Sequence, residues 1–312
     1  MNNNNALEIK ELTKIYSIKK NQNKTALNGL SLEVKKAEIF GLLGPNGAGK
    51  TTFINILGGT VLKTSGKVNV CGFDLDENSR QVRACVGIVP QEIHLDPFFN
   101  PKKSLELQAG LYGVKKNERI TETILKLISL ENESNTYARN LSGGMKRRLL
   151  IGKAMVHTPP ILVLDEPTAG VDVELRKKLW ANILELNELG VTIILTTHNL
   201  FEAETLCERI AILNHGKLLA LDTTNNLIGR IETKKVIFKI EKNKKFENIK
   251  INNIEFKKID DSNIEATFNK NKTKIEEIVN ILKEKNLNLI DFTSKDADLE
   301  DVFIQLVNVN NG

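Results

Sequence analysis

No run in this 312-residue sequence approaches the roughly 18 uninterrupted apolar residues that a membrane-spanning helix needs. The first residues, MNNNNALEIK, also lack the apolar core of a signal peptide. The two absences together point to a cytoplasmic protein. Cysteine is scarce: Cys71, Cys85 and Cys207 share no short metal-ligand spacing and cannot all pair, so three inert thiols in a reduced compartment are expected. There is little excess charge of either sign. The net charge of +5 is carried by lysines with acids interspersed among them, too diffuse a pattern to indicate nucleic acid. His94, His157 and His215 have no companions at useful spacing and are assigned no chemistry. There are no repeats, and the four asparagines near the start read as a disordered tip.

What is present is a core. With 41% apolar residues the chain can fill two ordinary domains. LEIKELTKI (7–15), SLEVK (31–35) and GKVNVCG (66–72) alternate like half-exposed antiparallel strands, whereas IFGLLG, VGIVP, ILVLD and VTIILTT are continuous apolar runs expected to be buried on both faces. Helical patterns separate those runs at about 50–58, 103–129, 143–156, 173–189 and 200–208, which predicts a parallel sheet with helices on both sides. RIAILNHGKLLALD reads as a hairpin turning at His215 and Gly216. After Thr224 the texture turns to Asn, Lys and Ile. The spacing there predicts short strands at KKVIFKI, NIEFKKI and NIEATFN, a helix near 272–285, a strand near 287–292 and a last helix, LEDVFIQLV.

The strongest chemical signal is GLLGPNGAGKTT (41–52). Gly44, Gly49, Lys50 and Thr51 fit the phosphate-loop pattern, placed between a buried strand and a helix. Glycines allow a tight turn that aims the amides from about Gly47 to Thr52 at phosphate oxygens, and the helix N-terminus adds its partial positive charge. Lys50 would reach the β- and γ-phosphates, and the Thr51 hydroxyl suits Mg²⁺. In ILVLDEPTAGVD (161–172), four apolar residues deliver Asp165 to the end of a strand, where open α/β sheets bind ligands. Asp165 is a candidate Mg²⁺ ligand. Glu166, pointing differently, would act as general base toward the attacking water; the alternative is that both acids only cap the next turn. Gln91, after VGIVP, could touch Mg²⁺ or that water, or be a surface amide. His198 ends VTIILTTH, where it could hydrogen-bond the γ-phosphate. Tyr16 follows the first strand and offers a ring face to adenine.

In this order, Tyr16, GPNGAGKTT, Gln91, LSGGM, ILVLDEP, VD and His198 resemble the ATP-binding subunit of an ABC transporter, over residues 7 to about 222. The resemblance implies an α/β fold: a P-loop NTPase cassette with a RecA-like parallel sheet core, an antiparallel β subdomain and a helical signature subdomain. The cassette would fill residues 1–224, with a small α+β accessory domain at 225–312. It also implies an adenine-stacking role for Tyr16 and a phosphate loop comprising Gly44, Pro45, Asn46, Gly47, Ala48, Gly49, Lys50, Thr51 and Thr52. Thr51, Gln91 and Asp165 would serve Mg²⁺, Glu166 and His198 would act in catalysis with Gln91, and Asp172 would be the D-loop aspartate. The D-loop departs from the family pattern, reading AGVD where SALD is commoner, so Asp172 is kept and the serine is absent.

The resemblance further implies that the signature residues Leu141, Ser142, Gly143, Gly144 and Met145 act in trans. Ser142 and the two glycine amides head a helix that buries Leu149, Gly152 and Val156, and form an anion site closing over ATP held by a second copy's Lys50. The tail TSKDADLEDVFIQLV, with Leu299, Val302, Phe303 and Leu306 on one face, is similar to extensions in the subgroup serving ABC-2-type permeases, mostly exporters. That tail suits a dimerising, stabilising or regulatory appendage. The implied partners are an integral-membrane ABC-2-type permease and a second ATPase subunit, with no specific nucleic acid. The chain would be peripheral on the inner face of the cell membrane, contacting the permease through Phe98, Phe99, Leu105 and Tyr112; the alternative is a plain packed helical subdomain, which accounts for Leu105 at least. Chromosome-organising relatives separate their two nucleotide motifs by a long coiled coil, and translation factors carry tandem cassettes. Here the two motifs lie about 115 positions apart and occur once each. The rival reading is a single-cassette soluble ATPase acting on a protein or nucleic-acid partner.

Overall fold

The computed structural model describes residues 4–19, 22–242 and 246–310. Two compact units result, Met1–Asp222 and Thr223–Gly312, dividing two residues ahead of the expected boundary. Among the described residues no helix is long and apolar enough to cross a membrane.

The first unit opens with two alternating strands, β1 (Asn5–Lys19) and β2 (Gln22–Lys35), paired antiparallel. β3 (Ile39–Leu43), five buried apolar residues, runs through the glycine loop into α1 (Lys50–Leu57). The chain rejoins the first sheet with β4 (Ser65–Val70) and β5 (Phe73–Asp74), then crosses by α2 (Ser79–Cys85) to β6 (Val86–Val89). A helical stretch follows: α3 (Pro101–Leu111), α4 (Thr121–Leu127) and α5 (Gly143–Met155). Strands and helices then alternate as β7 (Ile161–Asp165), α6 (Val173–Glu188), β8 (Thr192–Thr197), α7 (Leu200–Leu206) and β9 (Arg209–Asn214), and β10 (Lys217–Thr223) closes the unit. The antiparallel sheet has the order β2-β1-β4-β5 and the second sheet β10-β9-β3-β8-β7-β6. The two sheets share one core, in which Leu7, Ile9 and Leu32 join Phe40, Phe53, Ile54, Val163 and Ile194.

Register in the second sheet positions the chemistry. β3, β8 and β7 run parallel, with Leu43 opposite Thr197 and Asp165 opposite Thr196. The three central strands therefore end level, and the loops after Leu43, Asp165 and Thr197 emerge together at the carboxyl edge. The apolar runs explain why: β3, β7 and β8 are buried throughout, as strands covered on both faces must be.

The second unit begins with α8 (Thr224–Gly229) and β11 (Thr233–Ile240), followed by β12 (Ile249–Ile251), β13 (Ile254–Lys258), β14 (Asn263–Asn269), α9 (Ile275–Glu284), β15 (Leu289–Lys295) and α10 (Leu299–Asn310). Its sheet has the order β12-β13-β14-β11-β15, antiparallel at every pairing. Val236, Phe238, Phe256 and Ile264 form its core with Ile278 and Leu282 of α9. α10 packs on α8 with Leu299 and Val302 buried, and Lys235 holds Asp301 at 3.0 Å.

Three expectations need correction. The helical pattern at 103–129 is two helices, because Gly113, at φ 77, ends α3. Its amide donates to Gly110 O at 3.0 Å and that of Val114 to Ala109 O at 2.9 Å, the bond pair of a Schellman C-cap. Phe99 is half-buried, not exposed, whereas Leu105 is fully buried under Gly152 of α5, as a plain packed helical subdomain has it. The asparagine tip is only partly testable: residues 1–3 lie outside the described residues, but Asn5 already starts β1 and donates to Glu8 and Glu33. The hairpin turn is at His215 and Gly216, φ 46 and 75.

Candidate active site

The glycine loop closes tightly because two of its glycines leave no room for a side chain. A Cβ on Gly44 would lie 2.4 Å from Leu213 O, and one on Gly49, at φ 109, would lie 2.5 Å from Ala26 O. The loop is further pinned by Ala48 N donating to Pro45 O (3.1 Å) and Gly216 N to Ala48 O (3.0 Å). This leaves the first-turn amides of α1 without intrahelical acceptors and pointing into the cleft, a ready anion site. Lys50 Nζ donates to Gly44 O at 2.6 Å and Pro45 O at 3.3 Å. Burial lowers its pKa, opposed by the nearby Glu166 and Asp165.

Across the cleft, Asp165 ends β7. Its Oδ1 accepts from Thr196 Oγ1 at 2.5 Å, a bond that follows from the strand register. Glu166 turns away through a left-handed backbone (φ 47), anchored by its amide on Thr196 O at 2.9 Å. Its buried carboxyl is held on both sides: Gln91 Nε2 donates to Oε2 at 3.0 Å, and His198 Nδ1 lies 2.9 Å from Oε1. Four segments distant in sequence thus meet here, and the reading of Gln91 as an isolated surface amide is not what the geometry gives.

Burial pushes the Asp165 carboxyl above its ordinary range. The Thr196 hydrogen bond opposes this, Glu166 adds to it, and Lys50 and Arg147 work against it. The sign follows directly: with the folded value above the unfolded one, this group's contribution to stability is complete below the unfolded pKa, near 4, and is lost as pH rises through the folded value. At neutral pH the group therefore stabilises the ATP-free chain less than it does in acid. Asp165→Asn, which keeps an oxygen for Thr196, is expected to raise the calorimetric Tm of the ATP-free protein by about 2–4 °C at pH 7 and by nothing near pH 4. A lowered Tm at pH 7 would contradict this electrostatic account.

Tyr16, half-buried, lines the same cleft as residues 46–52, Gln91, Asp165 and Glu166, with Lys14 Nζ 4.7 Å above its ring. Lys24 and Ala26 of β2 also line it and went unread in the sequence, where only the alternation of QNKTALNGL marked them as facing inward. Thr196 and Arg147 were missed too. A threonine inside a wholly buried strand was the available signal for the first. Arg147 is buried and donates to Pro90 O at 2.8 Å, bracing the segment that carries Gln91.

The signature residues do not line this cleft. Ser142 caps α5, its Oγ accepting from Met145 N at 3.2 Å, and Asp172 caps α6, its Oδ1 accepting from Leu175 N at 2.9 Å. Leu141 is buried. The two glycines differ: a Cβ on Gly144 would run into Leu175 at 2.2 Å, whereas one on Gly143 would meet nothing within 4 Å. Packing explains Gly144, while Gly143 presents bare backbone at an exposed helix N-terminus.

A family model described as ABC transporter matches residues 27–169. The linearmycin resistance ATP-binding protein LnrL of Bacillus subtilis (strain 168) is 39% identical over 210 residues, covering 67% of this chain and 68% of that protein. The Nod factor export ATP-binding protein I of Burkholderia thailandensis is 40% identical over 212 residues, covering 67% and 70%. Among solved structures, a dimeric ATP-binding cassette in a post-hydrolysis state with ADP and Pi superposes with a TM-score of 0.61 at 28% identity, over 70% of this chain and 98% of that one. The cleft, its phosphate loop and these relatives agree: the chain belongs to the ATP-binding proteins of the ABC transporter family and is an ATPase of that family.

Proposed function

We propose that this protein is the ATP-hydrolysing subunit of an exporter, working as a head-to-tail dimer that drives a separate ABC-2-type permease. The observation that carries the chemistry is the Glu166 carboxyl, gripped by Gln91 and His198 opposite the phosphate loop. ATP would lie with adenine on Tyr16 and its phosphates on the amides of residues 47–52. Lys50 would exchange the Gly44 and Pro45 carbonyls for phosphate oxygens. Thr51, Asp165 and Gln91 offer the hard oxygen donors that Mg²⁺ takes, and the burial that pushes the Asp165 carboxyl up despite Lys50 and Arg147 is a cost that a divalent cation held there would offset. When bound, Mg²⁺ would neutralise charge developing on the phosphates. Glu166 accepts a proton from water as the water oxygen attacks the γ-phosphorus. The bond to the β–γ bridging oxygen breaks, leaving ADP and inorganic phosphate. His198, exposed beside Glu166, both steadies the carboxyl and can reach the γ-phosphate.

The dimer is supported by the dimeric cassettes among the structural relatives and by Gly143, an exposed glycine in the first turn of α5 where an added Cβ would meet nothing within 4 Å. Leu141, Ser142, Gly143, Gly144 and Met145 would close over the partner's ATP, with Asp172 at the same seam. Export is supported by relatives named for linearmycin resistance and Nod factor export. A permease helix would fit the cleft between the Gln91 segment and α3, where Leu57, Ile88 and Leu150 meet Arg83, Lys153 and Tyr112; Phe98, also exposed, does not line it. His157, given no role in the sequence, stacks on Tyr112 at 3.8 Å and stiffens that wall. The chain would then sit on the inner face of the membrane through the permease.

Two measurements test this reading. Recovery of the chain with membranes only when an ABC-2-type permease of the same organism is co-expressed supports transport, and recovery in the soluble fraction regardless contradicts it. Tyr16→Ala is expected to raise the KM for ATP by about 5- to 100-fold with little change in kcat, the loss of one base stack. An unchanged KM would remove Tyr16 from the adenine site.

A further inference from the structure

Glu202 lies outside the nucleotide cleft and is fully buried. Its Oε1 accepts two hydrogen bonds, from Thr168 Oγ1 at 2.8 Å and from Trp180 Nε1 at 3.0 Å, while Oε2 is buried with no partner among the described residues. Three elements meet at this one oxygen. Thr168 belongs to the loop 166–172, with Glu166 at one end and Asp172 at the other. Trp180 is on α6, which that loop enters, and Glu202 is in the first turn of α7, directly behind His198.

A buried carboxyl with one oxygen unpartnered is costly, and an apolar trio would pack the same space more stably. Stability alone does not account for the arrangement. What it does fix is relative position. The segments 166–168 and 198–202 are joined by two rungs, His198 to Glu166 at 2.9 Å and Glu202 to Thr168 at 2.8 Å. The first rung is exposed on its histidine side and lies in the reacting cleft; the second is sealed from water. Within the loop itself the backbone bonds are longer, Ala169 N to Glu166 O and Val171 N to Thr168 O, both 3.2 Å.

We propose that Glu202 is a positioning residue for hydrolysis: by holding Thr168 and Trp180 it locks the Glu166–Asp172 loop to the helix behind His198, and so keeps the Glu166 carboxyl at the attacking water. The proposal rests on the roles given above to Glu166 and His198.

The test is steady-state ATP hydrolysis by the full chain and its variants. Glu202→Ala is expected to lower kcat by about 10- to 100-fold, the scale of an ångström-level misplacement, with the KM for ATP within about twofold because residues 44–52 are untouched. Glu202→Gln, whose amide oxygen can accept from both donors, should restore kcat to within about threefold of wild type. Thr168→Val, a near-isosteric change that should fold where Glu202→Ala does not, should reproduce the kcat loss. Trp180 is the chain's single tryptophan, so its emission reports the contact directly and should change in Glu202→Ala but not in Thr168→Val. A wild-type kcat in both Glu202→Ala and Thr168→Val, a KM that rises as kcat falls, or a Gln variant no better than Ala would overturn the proposal. Glu166→Gln in the same assay separates the failures. If it hydrolyses ATP normally, the reading of the site fails and the positioning role with it; if it is inactive while the Glu202 and Thr168 variants turn over normally, only the positioning role fails.

Discussion

Glu166→Gln is expected to cut the turnover of ATP by about 10²- to 10⁴-fold, the worth of a positioned general base, while leaving ATP binding intact. The substitution keeps the shape and most of the anchoring. Gln91 Nε2 can still donate to the new amide oxygen at the position of Oε2, the left-handed backbone at φ 47 is unchanged, and the amide bond to Thr196 O remains. What is lost is the negative charge, and with it the capacity to accept the water's proton and the charged contact to His198. Because ATP then binds without being consumed, the closed dimer should accumulate and be visible by gel filtration as an ATP-dependent shift to twice the mass. Turnover within a few-fold of wild type would contradict the assignment of the base, and a loss of ATP affinity would mean that Glu166 holds the nucleotide instead.

Gly143→Glu is expected to have an effect nearly as large by a different route. The position is open, since a Cβ there meets nothing within 4 Å, and an acid in the first turn of a helix is favoured by the helix dipole. The folded chain should therefore be as stable as wild type or slightly more so, and ATP binding by the single copy should be unaffected. Hydrolysis, however, should fall by about 10²- to 10³-fold, comparable to losing one preorganised amide donor at a developing anion, because a carboxylate would face the partner's phosphates. Gly144→Glu would be uninformative, as its side chain collides with Leu175. A Gly143→Glu variant with wild-type turnover would remove the signature from the reaction.

The sequence was most legible where local pattern and tertiary position coincide. Buried runs such as ILVLD and VTIILTT can only be strands covered on both faces, and whatever follows them must emerge at the sheet edge, so Asp165, Glu166 and His198 could be placed from pattern alone. It was least legible where position depends on register. Thr196 meets Asp165 because β7 and β8 align one particular way, and Lys24 and Ala26 reach the cleft because β2 passes against the glycine loop at Gly49. A threonine inside a wholly buried strand hints at the first contact, and no residue type announces the second. The break at Gly113 was missed because the apolar spacing continues across it, although the Tyr-Gly pair at the end of α3 is a C-cap signal. Glu202 reads as one more acid on an amphipathic helix until Thr168 and Trp180 are seen to converge on it.

The central claim is that each reacting site is built from two copies. It is tested most directly with a thiol-reactive ATP analogue carrying its reactive group on the γ-phosphate. A chain bearing Lys50→Ala and Gly143→Cys, which cannot hold the analogue through its own loop, is incubated alone and with a Glu166→Gln chain, and the modified residue is mapped by mass spectrometry. The account predicts labelling at position 143 only when the Lys50-bearing chain is present. Labelling of the Lys50→Ala, Gly143→Cys chain on its own, or none with its companion, would contradict it.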